Sequence, residues 1–325
     1  MGDTNQTVVN GFILLGLSDV PYLQVIFFLL FLAMYITTLL GNLLLILAVR
    51  LNTQLQTPMY FFLSTLAFID ICLSSSIVPQ IMVNTIAPGR IITVLACAAQ
   101  MLISLVFGTT ECLMLAVMAF DRYAAICKPL HYNTVMNKRL CIILNTGSWA
   151  ICVINSTIHV TLTFQLPFCR SHHVNHFFCE VPPFIRMSCK DTWLNEVAMY
   201  TSAVSIGACS FSFILMSYVR IIFTLLKIRS TQGRQKAFST CTSHLTVLSL
   251  YYVTGTFTYL RPTSMHFPET DKIVPILYTT VTPMLNPIIY SIRNTEVLNT
   301  VKIMVAKKHI SKLVANLRFV ANKVN

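Results

Sequence analysis

Residues 118–127 read MAFDRYAAIC, an acid and an arginine side by side where a long apolar run ends. The run that leads into Asp121 and Arg122 spans about 95 to 120 and holds one other charge, Glu111. A helix that crosses a bilayer needs roughly 20 mainly apolar residues. Six further stretches meet that test, at about 23–49, 58–82, 140–166, 197–219, 237–260 and 273–292. Of the 325 residues, 55% are hydrophobic and 10% charged, against about 25% charged in soluble proteins. The pattern predicts an all-α membrane protein, a seven-transmembrane helix bundle.

An odd number of spans puts the termini on opposite sides, and Lys and Arg decide which is which. One set of connections holds Arg50, Arg122, Lys128, Lys138, Arg139, Arg220, Lys227, Arg229, Arg234, Lys236 and Arg293, and the C-terminal tail adds more lysines. The acids on that side are Asp121 and Glu296. On the other side the bases are balanced by acids. The expected layout is an extracellular N-terminal tail (1–22), a seven-span membrane domain (23–292) and a cytoplasmic tail (293–325), in the plasma membrane. The first 20 residues lack Lys and Arg, so no cleaved secretory n-region is expected and the first span serves as insertion signal. The net charge of +12 is spread over short loops facing anionic lipid, which argues against nucleic acid as a partner. Asn5 opens an N-x-T acceptor in the outer tail, where a glycan would sit. The similar pattern at Asn155 falls inside a span, which should silence it. Beyond Asn294 and Thr295, the spacing of Val297, Leu298, Val301, Met304 and Val305 predicts a short amphipathic helix on the inner leaflet.

Four of the 11 cysteines fall on the outer side: Cys97 at the start of the third span, and Cys169, Cys179 and Cys189 in the long loop that follows the fourth. In an oxidising compartment an even set reads as two disulfides, with three pairings open. The segment CRSHHVNHFFC (169–179) also offers thiolates and imidazoles of the kind that bind zinc. Oxidised sulfurs lose that capacity, so no metal and no other cofactor is expected.

Charge inside a membrane costs about 2.5–3.5 kcal/mol on insertion scales, so buried acids are functional candidates. Asp70 and Glu111 are two, and Asn42 and Asn286 place amides at similar depth. These four predict an internal polar network, which either holds a cation between Asp70 and Glu111 or contains a protonated acid. At 1.5 Å per residue, Cys97 to Asp121 covers roughly 36 Å, so Asp121 and Arg122 sit where the third span meets the cytoplasm. Taken alone, Arg122 needs no role beyond marking that border.

MAFDRYAAICKPLHY (118–132) resembles the inner end of the third helix in olfactory receptors, a branch of the rhodopsin-like G-protein-coupled receptors. The resemblance extends to Gly41–Asn42, TPMYFFLSTLAFID (57–70), Ser217–Tyr218, KAFSTCTSHLTV (236–247) and PMLNPIIYSIRN (283–294). The HFFCE stretch is similar to the terrestrial-type, class II branch. Two positions depart from the family pattern: Gln56 stands where His is usual, and Val253 where Gly is usual, which makes any borrowed ligand unsafe. The resemblance implies disulfides Cys97–Cys179 and Cys169–Cys189. It implies that Asp121, Arg122 and Tyr123 couple to a G protein, with Asp121 holding Arg122 at rest, Tyr218 and Tyr290 swinging in on activation, and Pro287 beside Asn286 letting the last span kink. It implies an odorant as ligand, an olfactory-type stimulatory G protein raising cyclic AMP, receptor-transporting chaperones, and residence in sensory cilia.

The helical spacing of Met101, Ser104, Leu105, Gly108 and Cys112 puts them on one face of the third span, and Thr109 joins them as a candidate. By resemblance, Ser202, Ile206, Tyr252, Gly255, Thr256, Tyr259, Ile276 and Thr279 complete a ligand-binding wall. The set predicts a mostly apolar cavity with hydroxyls and no charge, suited to a small neutral volatile molecule. A transporter would show related halves or broken helices, and no internal repeat is visible. No nucleophile, zinc-protease or phosphate-loop motif points to an enzyme.

Overall fold

The computed structural model describes residues 11–18, 20–87, 89, 91–168, 172–227, 231–260, 268–292 and 296–304. Asn5, Cys169, Asn294, Thr295 and the tail from Val305 lie outside them. Among the described residues, six helical runs are long and apolar enough to cross a membrane. They are α1 (Pro21–Leu51), α2 (Pro58–Ile86), α3 (Val94–Cys127), α5 (Lys138–Phe164), Trp193–Leu226 and Thr270–Tyr290. A single turn, α4 (Tyr132–Val135), lies between α3 and α5, and α6 (Val181–Met187) lies in the outer loop after α5. The fifth run is α7 (Trp193–Ser202), a π-helical turn (Ala203–Ala208) and α8 (Cys209–Leu226). The last is built from α10 (Pro268–Ile276), a second π turn (Leu277–Val281) and α11 (Thr282–Ile292).

The helix α9 (Thr231–Tyr259) is 29 residues long and covers the stretch expected to be a span, but it falls short on apolarity. Its outer part, TSHLTVLSLYYVTGTFTY (242–259), interleaves hydroxyls with leucine and valine. Those hydroxyls are satisfied inside the helix: Thr246, Thr254 and Thr258 donate to carbonyls four residues back at 2.8, 2.7 and 3.0 Å. Such back-bonding lowers the cost of a hydroxyl in an apolar setting.

Sequence signals set the ends of the helices. Pro21 and Pro58 occupy the first turns of α1 and α2, where a missing N–H costs nothing. Thr93 and Asn137 accept from backbone N–H groups of Ala96 (3.2 Å) and Leu140 (2.9 Å), capping α3 and α5. Residues 296–304 form a further helix whose Val297 is fully buried and whose Val301 and Met304 pack on the inner core. Thr300 in it accepts from Asn52 at 2.8 Å.

The outer side carries a small sheet of order β2-β1-β3. Strand β1 (Gly11–Leu14) pairs antiparallel with β2 (Ile91–Thr93) and parallel with β3 (His173–Val174). Under it Phe12 packs edge-on against Phe168 and Phe184, at 5.5 and 4.8 Å between ring centres. The disulfide Cys97–Cys179, with Cα atoms 5.5 Å apart, joins the top of α3 to the loop that supplies β3.

The close approach of α1 to α11 has a specific cause. Pro287 has no N–H, so the carbonyl of Pro283 four residues earlier loses its helical partner. Asn42 of α1 donates its Nδ2 to that carbonyl at 3.0 Å. The neighbouring Gly41 makes the approach possible, because a Cβ there would lie 2.8 Å from Pro287 Cγ. Replacing Gly41 with Ala should therefore destabilise the bundle by about 1–3 kcal/mol and lower the melting temperature of the detergent-solubilised protein. Gly147→Ala, where an added Cβ meets nothing within 4 Å, should leave it unchanged.

Candidate functional site

A cavity of about 730 Å³ opens among α3, α5, α7, α9, the two π turns and the outer loop. Its volume falls within the range of small-molecule sites. Small residues at the first π turn, Ala203, Gly207 and Ala208, border it, so backbone rather than bulk forms that wall. Such turns recur at functional sites because they break the regular helical ladder. Ser104, Leu105, Gly108, Thr109 and Cys112 line it from α3, as do Ser202, Ile206, Tyr252, Gly255, Thr256, Tyr259 and Thr279 from the other elements. Val253 borders it as well.

Two expected wall residues are elsewhere. Met101 is fully buried in the aromatic cluster beneath the sheet, with Phe12, Val174 and Phe184. Ile276 packs instead with the cluster that contains Phe177 and Phe178. Both corrections have one reason: the outer loop folds down over the bundle mouth and takes the face that an open bundle would give to the cavity.

The floor is tied across three helices. Tyr252 Oη lies 2.7 Å from Ser210 Oγ and 3.2 Å from Cys112 Sγ, and the Tyr251 hydroxyl donates to the Gly108 carbonyl. The roof overturns the expectation of a charge-free lining, because Glu180 borders the cavity and is 3% exposed. Glu180 Oε1 accepts from Tyr259 at 2.7 Å and from Tyr278, while Oε2 is 3.6 Å from His176 Nε2. Burial pushes the His176 imidazole down to about 4, so this contact is made by a neutral ring. Burial also raises the Glu180 carboxyl, and the Tyr278 and Tyr259 hydroxyls pull it back. Nearby, Arg186 of α6 pairs with Asp271 of α10 at 2.8 Å.

Below the floor, Asn286 Nδ2 donates to Asp70 at 3.0 and 3.1 Å and approaches Glu111 Oε1 at 3.5 Å. Asp70 and Glu111 are fully buried. Asn42 does not join them; it serves the Pro283 carbonyl. Glu111 Oε2 and Asn286 Oδ1 are buried without a hydrogen-bond partner. Among the described residues no cluster of His, Cys, Asp and Glu has a metal-binding arrangement.

At the inner end, Asp121 is buried and accepts from Tyr132 at 2.7 Å. Neither of the base–acid contacts among the described residues, His176–Glu180 with its neutral ring and Arg186–Asp271, involves Asp121 or Arg122, so Asp121 does not hold Arg122 in a direct ion pair as expected. The Tyr132 hydroxyl from α4 has taken its place. The charge of Arg122 still acts on Asp121, and it also bears on Tyr218, His244 and Tyr290. Tyr218 Oη lies 2.5 Å from His244 Nδ1, and the His244 ring is 6.4 Å from that of Tyr290. Tyr123 turns away, stacked on Phe120 with Lys128 over its ring.

The comparison with known proteins bears on this assembly as a whole. A family model described as "Olfactory receptor" matches residues 31–308. The chain belongs to the olfactory receptor family. It is 46% identical over 308 residues to human Olfactory receptor 5G3, covering 95% of this chain and 98% of the relative. Human Olfactory receptor 10A7 is 45% identical over 309 residues, with 95% and 98% covered. Human Olfactory receptor 5B12 is 47% identical over 307 residues, with 94% and 98% covered. This olfactory receptor is thus a multi-pass membrane protein of the G-protein-coupled class and not an enzyme.

Several residues escaped the reading of the receptor's sequence. His244 stands in the quoted KAFSTCTSHLTV stretch and Glu180 in HFFCE, but neither motif says where its polar side chain points. Asn155 and His159 line the cavity from α5, and a single polar residue in a span gives no direction either. The two tyrosines on Glu180 yield a direct test. Removing both with Tyr259→Phe and Tyr278→Phe leaves a buried carboxyl oxygen without its donors, at about 1–3 kcal/mol for an unsatisfied group. The double variant should melt lower than either single one in a thermal-shift assay.

Proposed function

We propose that this olfactory receptor binds small, mostly neutral volatile organic molecules in the outer cavity and activates a stimulatory heterotrimeric G protein, raising cyclic AMP. The observation that carries the reading is a largely apolar cavity whose floor is bonded across α3, α8 and α9. A molecule that presses on that floor acts on the helices that carry Arg122, Tyr218 and His244 at their inner ends. Asp121, Arg122, Tyr123, Tyr218, Asn286, Pro287 and Tyr290 form the coupling set in this reading. Asn286 bridges the acids of α2 and α3, and Pro287 supplies a weak point in the last helix, so a shift in one reaches the others.

In the same reading α9 is also a span, the sixth of seven in chain order, despite its hydroxyls, and residues 23–292 form the receptor domain. The N-terminal segment 1–22 is extracellular with a glycan on Asn5, and 293–325 is cytoplasmic. The helix at 296–304 opens an amphipathic segment on the inner leaflet lipid, consistent with Val297, Val301 and Met304 on the protein side and exposed Lys302 opposite. Cys97–Cys179 is joined by a second disulfide, Cys169–Cys189. Residence in sensory cilia and receptor-transporting chaperones as partners belong to the same reading.

The test is cyclic AMP production in cells that express the full chain with a receptor-transporting chaperone, exposed to a panel of neutral odorants. Wild type should respond, and Arg122→Ala at equal surface level should lose most of the response. Retained signalling in the variant removes Arg122 from the coupling set.

A further inference from the structure

On the α5 side of the cavity, three polar side chains form a short chain in an otherwise apolar wall. Ser202 Oγ is 2.7 Å from Asn155 Oδ1, and His159 Nε2 is 2.8 Å from Ser202 Oγ. All three residues border the cavity. His159 is 7% exposed, and Asn155 is half-buried.

The proton arrangement in such a chain has two self-consistent forms. In one, His159 Nε2–H donates to Ser202, Ser202 donates to the Asn155 carbonyl oxygen, and the ends left over are the His159 Nδ1 lone pair and the Asn155 NH₂. In the other, the Asn155 amide is turned: its NH₂ donates to Ser202, Ser202 donates to His159 Nε2, and the ends left over are His159 Nδ1–H and the Asn155 carbonyl. Either way the cluster has at least one donor and one acceptor to offer. The hydroxyls of Ser104, Thr109 and Thr279 differ in kind, since they donate to carbonyls of their own helices at 3.1, 2.7 and 2.6 Å and turn only lone pairs outward. Tyr259 and Tyr278 direct their protons to Glu180.

We propose that Asn155, His159 and Ser202 form the hydrogen-bonding subsite of the cavity, and that its ligand class is an apolar molecule bearing one hydroxyl group. A hydroxyl both donates and accepts, so it matches the two ends of the cluster in either proton arrangement. An ether or an ester matches only the donor end of the cluster. This inference rests on the proposed odorant reading and narrows it to a ligand chemistry and a place.

The experiment uses the full-length receptor at verified surface level and the cyclic AMP readout. The probes share one hydrocarbon skeleton: a straight-chain aliphatic alcohol and its methyl ether. Wild type should respond to the alcohol at a concentration about tenfold lower than to the ether, the scale of one good hydrogen bond. His159→Leu, and separately Asn155→Leu, should remove that preference by weakening the response to the alcohol more than that to the ether, and a remaining ether response at equal surface level shows that the cavity stays folded. An alcohol preference that persists in both variants, or is absent from wild type, overturns the subsite. Silence of wild type to every compound of the series and of the wider neutral panel overturns the odorant reading itself, and the subsite with it.

Discussion

A carbonyl with no partner is expensive inside a membrane, because no water is there to take its place. Pro287 creates that problem at Pro283, and Asn42 answers it from another helix. The answer fixes the distance and rotation of α1 against α11, and Gly41 is the residue that allows the contact. One residue before Pro287, Asn286 is thereby held over Asp70 and Glu111. The buried acids therefore depend on a backbone defect and its repair, and not on each other alone. Lipid tails are as apolar as leucine, so burying Phe62 or Leu66 gives van der Waals fit and little else. Directional contacts such as this one are what choose a single packing.

How far the sequence could be read follows from what a sequence can encode locally. The apolar runs placed each of the six described helices that are long and apolar enough to cross a membrane, with ends off by up to seven residues, because length and hydropathy are local quantities. The α9 stretch is instructive: its hydroxyls lower its apolarity, yet their i−4 bonds keep it helical. Helical spacing also put Ser104, Leu105, Gly108 and Cys112 on one face, and they share the cavity. It failed at Met101, one turn higher on the same face, because a loop more than sixty residues away in sequence occupies that space. Asp121 shows the same limit in small. Its neighbour in sequence carries the opposite charge, yet its partner is Tyr132, which the turn of α4 delivers from outside the helix. Glu180 was invisible as a cavity residue for the converse reason, since a loop has no period from which direction can be read.

The cavity is apolar in area but organised by few polar groups, each at a boundary between elements. Glu180 joins the outer loop to α9 and to the last span through two tyrosines. Tyr252 joins α9 to α3 and α8. Asn155 and His159 join α5 to Ser202 of α7. The roof, floor and side of the site are thus also the seams between helices, so anything that alters a hydrogen bond there alters how two helices meet.

The outer sheet carries a consequence for how this chain is made. Strand β1 lies near the start of the sequence and pairs in parallel with β3, which begins at His173. Its antiparallel partner β2 begins at Ile91. During synthesis β1 is released first, yet its sheet cannot close until four spans have been threaded and the loop behind them has emerged. Contacts of such long sequence separation carry a large loop-closure cost and form slowly. For all that time the backbone edge of β1 and the ring of Phe12 are without their native cover. The segment that seals the mouth of the bundle is therefore among the first parts of the chain to be made, yet it must wait for four spans before it can take its place.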